Sequence, residues 1–496
     1  MALAISEVRA AVERACARPD VLDACERRDL GAIIMALKPL GVTQGRISEL
    51  TGISQGRLSE YATGRRRPSA TSTFESFACG LGMPTAARKA LGLGAGGASS
   101  SGVILSHARR TAGVDVGLEY PPTPAQATVN VSALWQADLD DQRVVERGLV
   151  TPAAWNEASL RWLVAPASAG ALARAAVADG VRVGMGDVER FLDTVEVFRD
   201  LDNRFGGGHA REALIQYLRS DAVRLLRGRY SDGVGSALMS AVADATQLAA
   251  WMTYDSTPHS PQAQKYFIQA LGLAQASGDR LMGAGILDAM SHQATYTGRF
   301  REAANLAQAA RAGTAGIATA GLTAHFHAME ARALARLGET KACELSLAAA
   351  VAEYERRRPE DDPNWFQYFD EAELAAEFGH CLRDLGQAKG AADYAGRSVG
   401  ATSDGRFARS DFFATMVLAD AHLAAGDAEA ACAVALVALG VGEKVRSGRC
   451  VSYLREFRDH LSVAEGAAVV REFGDQAVQS RMWRIASRPS GVAAVA

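Results

Sequence analysis

Apolar residues recur at helical spacing along most of this 496-residue chain. From residue 187 onward, amphipathic segments of about 12 to 20 residues alternate with short turns that contain glycine. Apolar positions three and four residues apart predict helices, and a glycine just after such a segment is a typical helix end. The pattern therefore predicts an all-α protein.

The helical segments after residue 187 form an internal repeat that is marked by its turns. The turn positions follow one another at spacings of 40, 40, 48 and 40 residues: Pro258, Gly298, Gly338, Gly386 and Gly426. Five places after each turn stands a small residue: Ala263, Ala303, Cys343, Ala391 and Ala431. Small residues allow two antiparallel helices to pack closely, so the repeat predicts an α-solenoid of helix hairpins. These hairpins resemble tetratricopeptide repeats.

A stretch within the first 91 residues has the pattern of two short helices joined by a tight turn. Thr43 is a favourable N-cap for a helix of about eight residues, and Gly52 provides the turn that follows. A second helix is predicted over Gln55–Ala62, with Ser54 as its N-cap and Gly64 at its end. Apolar residues form a shared inner face: Ile47, Leu50, Ile53, Leu58 and Tyr61.

Polar side chains of this stretch point away from the inner face. In helix-turn-helix proteins the first turn of the second helix enters the major groove, where side chains such as Gln55 and Arg57 can hydrogen-bond to base edges. The run Arg65–Arg67 follows directly. Guanidinium groups beside a recognition helix contact phosphates and add affinity without sequence preference.

Residues 30–91 resemble the lambda-repressor-like, or Xre-type, helix-turn-helix family. The resemblance implies a five-helix head in which Gln44 contacts a phosphate. It places Gln55, Gly56, Arg57 and Glu60 at base-reading positions, and Gly56 departs from the family because it has no side chain to read a base. The predicted DNA-binding residues are Gln44, Gln55, Gly56, Arg57, Ser59, Glu60, Arg65, Arg66 and Arg67.

Four further motifs extend the resemblance to nearly the whole chain. They are VLDACERRDLGAI (21–33), DNRFGGGHARE (202–212), YDS (254–256) and YFIQAL (266–271). With the head, these motifs resemble bacterial Xre-type regulators that are fused to tetratricopeptide-like repeats and are associated with development and secondary metabolism in filamentous bacteria. The resemblance implies double-stranded DNA as a partner.

Composition divides the chain into a head, a linker, a connector and a repeat domain. The head is predicted over residues 1–91, and residues 92–102 are a Gly, Ala and Ser linker. Residues 103–186 contain five prolines and form a connector that precedes the repeat domain at 187–496. Residues 1–90 carry 13 Lys and Arg against 9 Asp and Glu, whereas the other 406 residues have a net charge of −7. A basic head on an acidic body is consistent with nucleic-acid binding through the head.

The cysteine usage and the hydrophobic pattern indicate where the protein acts. Seven scattered cysteines, with no paired or zinc-like spacing, are expected to be buried thiols in a reducing compartment. Acidic and basic residues interrupt the N-terminus where a signal peptide needs an apolar core, and no long uncharged apolar stretch occurs. We therefore expect a cytoplasmic protein with no membrane partner.

The middle repeats carry a candidate site for a ligand or partner. Asp288, His292 and Tyr296 follow one another at four-residue spacing on one helix face, and Arg332 and Arg336 are also four apart. His380 occupies the position equivalent to His292 in a later repeat. The set predicts a groove for an acidic peptide or a small anionic ligand: Asp288, His292, Tyr296, Arg332, Arg336 and His380. The alternative is that Asp288 or a neighbouring carboxylate pairs with the arginines inside the protein.

The sequence contains no set of residues that we can assign to catalysis. No nucleophile, base or paired-carboxylate set occurs with supporting local context, so we expect neither an enzyme nor a cofactor or metal site. The glycine run 206–208 lacks the strand and the Lys–Ser/Thr pair of a phosphate loop and is interpreted as a turn between helices. The WFQYF cluster at 365–369 is interpreted as packing at a repeat junction, with an aromatic ligand cage as the alternative.

Together these features predict a sequence-specific transcriptional regulator. One small head makes few contacts with DNA, so we expect a homodimer that binds two half-sites. The repeat domain is expected to mediate dimerisation and to bind a peptide, protein or small-molecule signal. The alternative is a repeat-based interaction scaffold with a vestigial head, and the intact Gln55, Arg57 and arginine run argue against such decay.

Overall fold

The chain folds into two compact units, Met1–Gly113 and Val114–Ala496. The computed structural model describes residues 5–51, 53–65, 68, 71–93, 117–140, 149–165, 181–401, 406–464 and 466–488. Over these residues the secondary structure is helical, apart from one isolated bridge between Arg182 and Arg229, so the all-α prediction is confirmed. Gly52, Arg66, Arg67 and all but the first two residues of the predicted linker lie outside the described residues.

The first unit consists of short helices around one apolar core. Among the described residues, two helices precede the five that the resemblance implies for residues 30–91. In chain order the helices are α1 (Ile5–Cys16), α2 (Pro19–Glu26), α3 (Leu30–Leu37), α4 (Gln44–Thr51), α5 (Gln55–Ala62), α6 (Thr71–Gly80) and α7 (Thr85–Ala90). Each of the last five contributes buried apolar residues to the core, among them Ile34, Ile47, Leu58, Phe77 and Ala87.

Helices α3 and α5 pack closely because a glycine lies at their contact. A Cβ atom on Gly31 of α3 would lie 2.2 Å from the carbonyl oxygen of Tyr61 in α5. The same holds for α4 and α6, where a Cβ on Gly80 would lie 2.3 Å from the carbonyl oxygen of Leu50. Contacts this short exclude any side chain, so these two glycines set the spacing of the helices.

In the part of the second unit that the structure describes, five helices precede the repeats. The unit then continues as helix hairpins. Its helices are α8 (Pro124–Asp140), α9 (Pro152–Val164), α10 (Met185–Phe205), α11 (Arg211–Tyr217), α12 (Val223–Leu226), α13 (Asp232–Ser256), α14 (Gln262–Ser277), α15 (Arg280–Tyr296), α16 (Phe300–Gly313), α17 (Ala320–Arg336), α18 (Thr340–Tyr354), α19 (Glu371–Asp384), α20 (Ala388–Ala401), α21 (Ala408–Ala424), α22 (Ala428–Gly442), α23 (Gly448–Leu461), α24 (Ala468–Ala477) and α25 (Arg481–Ala486).

The repeat that the sequence predicts corresponds to five helix pairs, α13–α14 through α21–α22. Four of the predicted turns share one geometry: the glycine has a φ of 72° to 84°, and the next residue donates its N–H to a carbonyl five residues earlier. This is the Schellman arrangement that ends many helices. All five small residues after the turns are fully buried where the paired helices meet: Ala263, Ala303, Cys343, Ala391 and Ala431.

Side-chain caps fix the start of the first helix in four of the five pairs. Ser231, Asp279, Thr319 and Asp370 each accept a hydrogen bond from the backbone N–H three residues later. A cap of this kind satisfies one of the free N–H groups of the first turn. The sequence thus specifies the start of four of the five hairpins through these caps, and the turn of four of them through the glycines.

The last helices of the second unit contact its first ones. Arg409 of α21 donates a hydrogen bond to Asp202 of α10, with an Nη1–Oδ2 distance of 2.7 Å. Ser447, which caps α23, donates to Asp255 of α13 at 2.7 Å. The array of hairpins therefore closes on itself, and we call this contact the closure.

The glycine run 206–208 forms part of the closure. It connects α10 to α11, as the sequence predicts for a turn between helices. The N–H of Gly208 donates to the carbonyl of Arg446, and a Cβ on Gly207 would lie 2.3 Å from the carbonyl oxygen of Met252. The glycines are thus explained by close backbone packing.

Among the described helices, none combines the length and the apolar character that crossing a lipid bilayer requires. The six cysteines whose side chains the structure describes are buried and form no disulfide bonds.

Candidate DNA-binding surface and interior cavity

Helices α4 and α5 form the helix pair that the sequence predicts. The hydroxyl of Thr43 accepts a hydrogen bond from the N–H of Arg46 at 3.2 Å, which caps α4. Ser54 is the N-cap residue of α5, but its side chain makes no capping hydrogen bond. Gly64 ends the pair in the left-handed conformation, with a φ of 69°.

Helix α5 has one face in the core and one in solvent. Leu58 and Tyr61 are buried. The opposite face consists of residues that are exposed to solvent: Gln55, Gly56, Arg57 and Ser59. We call these four residues the exposed face of α5. Because the buried residues anchor the helix, the exposed side chains project from a rigid support.

The other predicted DNA-binding residues lie around this face. Glu60 is half-buried, as is Gln44 in the first turn of α4. Arg65 is exposed immediately after Gly64, and Arg66 and Arg67 lie outside the described residues. A Cβ on Gly56 would have no heavy atom within 4 Å, so nothing in this unit requires a glycine there.

The second unit contains a partly open cavity of about 220 Å³. That volume is far larger than the roughly 10–15 Å³ that one water molecule needs. Its wall comes from α10, from the first helix of each of the five pairs, and from the start of α23, whereas the second helices contribute only Ser398. First helices of stacked hairpins line the inner surface of a solenoid, which explains this division.

Four of the six residues predicted to form a groove line this cavity. They are Asp288, His292, Arg332 and His380. The other two, Tyr296 and Arg336, stand closer to the ends of the same helices and are not part of the wall. Tyr296 packs against Tyr254, with ring centroids 5.5 Å apart.

Carboxylates inside the protein pair with both predicted arginines. Arg332 Nη1 lies 2.6 Å from Glu377 Oε2, and Arg336 Nη1 lies 3.7 Å from Asp384 Oδ1. Internal pairing, the alternative considered from sequence, is therefore what the structure shows for Arg332, whereas Arg336 is exposed and reaches its carboxylate from the surface. Asp288 itself contacts His325, with Oδ2 and Nδ1 2.8 Å apart.

Two further ion pairs, each largely buried, line the cavity. Arg199 Nη2 donates to both carboxylate oxygens of Asp244 at 2.8 Å. The Arg409–Asp202 pair of the closure is the second. Buried pairs of this kind hold the surrounding helices in one arrangement, because separating the partners leaves an uncompensated charge in the interior.

Burial changes the proton affinity of several groups in the wall. It lowers the pKa of His292 well below the ordinary value, and Arg449 and Arg332 lower it further. The pKa of His380 is lowered well below its ordinary value for the same reasons. Both histidines are therefore neutral at pH 7. By contrast, burial raises the pKa of Glu373 to about 7, and the neighbouring Glu377 adds to that rise.

Aromatic side chains complete the wall. Trp365, Phe366 and Tyr368 of the WFQYF cluster line the cavity, so this cluster both packs the repeat junction and faces the interior. Trp251 packs against the ring of His292, with ring centroids 5.2 Å apart. Such a wall can bind the apolar part of a ligand.

Several wall residues were not predicted from the sequence. Repeat spacing identifies residues at equivalent helix positions, whereas Arg199, Trp251, Arg409 and Arg449 reach the cavity through the closure or from other helix faces. The described residues contain no cluster of three or more His, Cys, Asp or Glu side chains that could hold a metal ion.

Comparison with known proteins gives no match to this chain, whether to a family model, a curated protein or a solved structure.

Proposed function

We propose that the protein is a sequence-specific, DNA-binding transcriptional regulator whose repeat unit binds a signal molecule. The observation that carries the proposal is the exposed face of α5. It presents Gln55 and Arg57 in the first turn of a helix that is anchored by Leu58 and Tyr61. Gln and Arg are the side chains that read adenine and guanine edges by paired hydrogen bonds.

The surroundings of this face support contact with a DNA backbone. Arg65 is exposed at the end of α5, where a guanidinium would meet a phosphate. The net positive charge of residues 1–90 favours approach to DNA, while the acidic remainder of the chain does not. We further propose a cytoplasmic homodimer, since two heads on two half-sites double the number of base contacts.

The experiment measures binding of the full chain to DNA from its own upstream region and to a duplex of scrambled sequence. Replacing Gln55 and Arg57 by Ala together should remove the preference for the upstream DNA. Each lost base contact costs about 1–3 kcal/mol of discrimination. Replacing Arg65, Arg66 and Arg67 by Ala should instead weaken both duplexes and reduce the salt slope by about 3.

Arg27→Ala is the matched control, because Arg27 is an exposed arginine of the same unit that pairs with Asp23. It should leave both affinities unchanged. If the Gln55/Arg57 variant still prefers the upstream DNA, base reading by α5 is wrong. If the wild-type chain binds neither duplex at low salt, the proposal fails and the interaction scaffold becomes the better account.

A further inference from the structure

One cation in the cavity wall lacks a carboxylate partner. Arg449 lies in the first turn of α23 and is 5% exposed. Among the described residues, no carboxylate oxygen lies within the 4.0 Å of an ion pair from its guanidinium, and its Nε has no hydrogen-bond partner. Asp255, the carboxylate that acts on it electrostatically, accepts hydrogen bonds from Ser447 and Gly207 instead.

Aromatic rings surround the Arg449 guanidinium. Its central carbon lies 4.5 Å from the ring centroid of Phe413, 4.6 Å from that of Tyr254 and 5.7 Å from that of Tyr296. Rings favour a cation over their faces, but they carry no negative charge that would neutralise the guanidinium. The guanidinium is thus held in place without being neutralised.

The other arginines of the wall differ in this respect. Arg199, Arg332 and Arg409 each contact a carboxylate at 2.6 to 2.8 Å. A buried charge without a counter-ion is unfavourable, and proteins ordinarily pair it. An unpaired arginine that faces a cavity is therefore typical of a site that an anion completes.

Two neutral histidines lie near this arginine. Nδ1 of His292 is 3.1 Å from the hydroxyl of Tyr254, which leaves its other nitrogen for a further hydrogen bond. His380 also lines the cavity, and its Nδ1 has no partner among the described residues. An imidazole can donate to a carboxylate or a phosphate oxygen, so both histidines can add hydrogen bonds to an anion at Arg449.

We propose that the cavity binds a small organic acid, whose carboxylate or phosphate group pairs with Arg449 and whose apolar body lies against Trp251, Phe413 and Trp365. The inference rests on the proposed function, for which it names the class of signal. The cavity has room for a small molecule, since an engineered protein cavity of roughly 150 Å³ binds benzene. The proposal selects a small-molecule signal from the peptide, protein or small-molecule signals that the sequence left open.

The experiment titrates the full-length protein with four probes of the same ring size: benzoate, phenyl phosphate, benzamide and benzylamine. Isothermal titration calorimetry is continued to about 10 mM, since probes of about ten non-hydrogen atoms bind weakly even in a good site. Benzoate or phenyl phosphate should bind saturably, and the tighter of the two identifies the anionic group. Neutral benzamide and cationic benzylamine should bind at least about thirtyfold more weakly.

Two substitutions at Arg449 test the contact itself. Arg449→Met removes the charge and should weaken the anionic probe by at least about thirtyfold, whereas Arg449→Lys should restore part of the affinity. Arg455→Met is the matched control, because Arg455 lies on the same helix and is not part of the cavity wall. It should leave probe binding unchanged. Thermal melting checks that each variant is folded.

Three outcomes would overturn the inference. They are saturation by neither anion, equal binding of benzamide or benzylamine, and unchanged benzoate binding by folded Arg449→Met. The probe comparison needs no variant, so it decides the question even if Arg449→Met does not fold. DNA binding of the wild-type chain is measured separately. If the chain binds DNA but no anionic probe, the proposal of an organic acid is refuted alone. If the chain does not bind DNA, the proposed function as a regulator is refuted.

Discussion

His292 and His380 show how single residues set the pH dependence of the repeat unit. In the unfolded chain both titrate near pH 6.5, whereas in the folded protein the pKa of each lies well below that value. Below about pH 6.5 the unfolded chain therefore binds protons that the folded protein does not. The stability that the two histidines contribute is present above this pH and is lost as the pH falls. Charged groups that act on one or both are Arg332, Arg383, Arg409, Arg449 and His325.

Two other groups of the wall act in the opposite direction. The contact with Asp288 raises the pKa of His325 against the effect of burial, so the stability from His325 is present below about pH 6.5 and is lost as the pH rises through its folded-state pKa. The pKa of Glu373 is raised to about 7, so the folded protein binds one extra proton as the pH falls. A comparison of variants is therefore more informative than the wild-type curve alone.

We predict that a His292→Gln/His380→Gln double variant loses stability less steeply than the wild type on acidification. The two slopes of unfolding free energy against pH should differ by up to about 2.7 kcal/mol per pH unit below about pH 5.5, because two protons are involved. Urea unfolding followed by tryptophan fluorescence measures this, since all six tryptophans lie beyond residue 113. Equal slopes would show that these histidines are not the groups responsible. His209→Gln, at an exposed histidine, is the control.

Residues also show which parts of the site the sequence could predict. His292, Arg332 and His380 each lie six residues before a turn glycine of the repeat, and all three line the cavity. Tyr296 lies only two residues before its turn, at the end of α15, and is not part of the wall. Arg449 could not be predicted, because its surroundings depend on the closure, which joins residues almost 200 positions apart, such as Tyr254 and Arg449.

At the level of elements, the spacing of α3 and α5 depends on Gly31. We predict that Gly31→Ala destabilises the first unit by about 1–3 kcal/mol, because the new methyl group would meet the Tyr61 carbonyl oxygen at 2.2 Å and force the helices apart. The preference of helices for Ala over Gly, about 1 kcal/mol, only partly offsets this cost. Hydrogen-exchange mass spectrometry of peptides from residues 5–93 measures the change.

Gly56→Ala is the matched control for this prediction. Gly56 is also a helical glycine of the first unit, but a Cβ there would have no heavy atom within 4 Å. It should slow exchange, because alanine stabilises an exposed helix by up to about 1 kcal/mol relative to glycine. If both substitutions stabilise the unit equally, the close contact at Gly31 does not constrain the helices.

Element boundaries were predictable where their signals are local. Helix α5 spans the residues predicted for it, and the glycine turns of the repeat lie where the spacing places them. The one spacing of 48 residues is explained by an extended connection between α18 and α19, with short 3-10 turns at Pro359–Asp361 and Asn364–Phe366. Turn spacing shows that extra residues are present, but only packing shows that they face the cavity.

For the second unit as a whole, the closure depends on contacts between distant parts of the chain. Two arginines in and beside α21 reach α10. Arg409 pairs with Asp202 in a buried contact at 2.7 Å, whereas Arg406 pairs with Asp200 in an exposed contact at 3.5 Å. Burial raises the pKa of Asp202 and Arg409 lowers it, so the carboxylate depends on this arginine for its charge. The two pairs join the same helices and differ mainly in exposure to water.

We therefore predict that Arg409→Met destabilises the second unit by about 3–5 kcal/mol, the cost of leaving one partner of a buried pair alone. Arg406→Met should cost no more than about 1 kcal/mol, as is usual for exposed pairs. Hydrogen exchange distinguishes loss of the closure from general unfolding: α10 and α23 should exchange faster in the Arg409 variant, while α15 and α17 should change less. Equal effects of the two substitutions would mean that the buried pair does not hold the closure. Arg449 is part of α23, so loss of the closure should also displace this cation from the cavity wall. Arg409→Met should therefore weaken the binding of benzoate or phenyl phosphate, even without a direct contact between Arg409 and the probe.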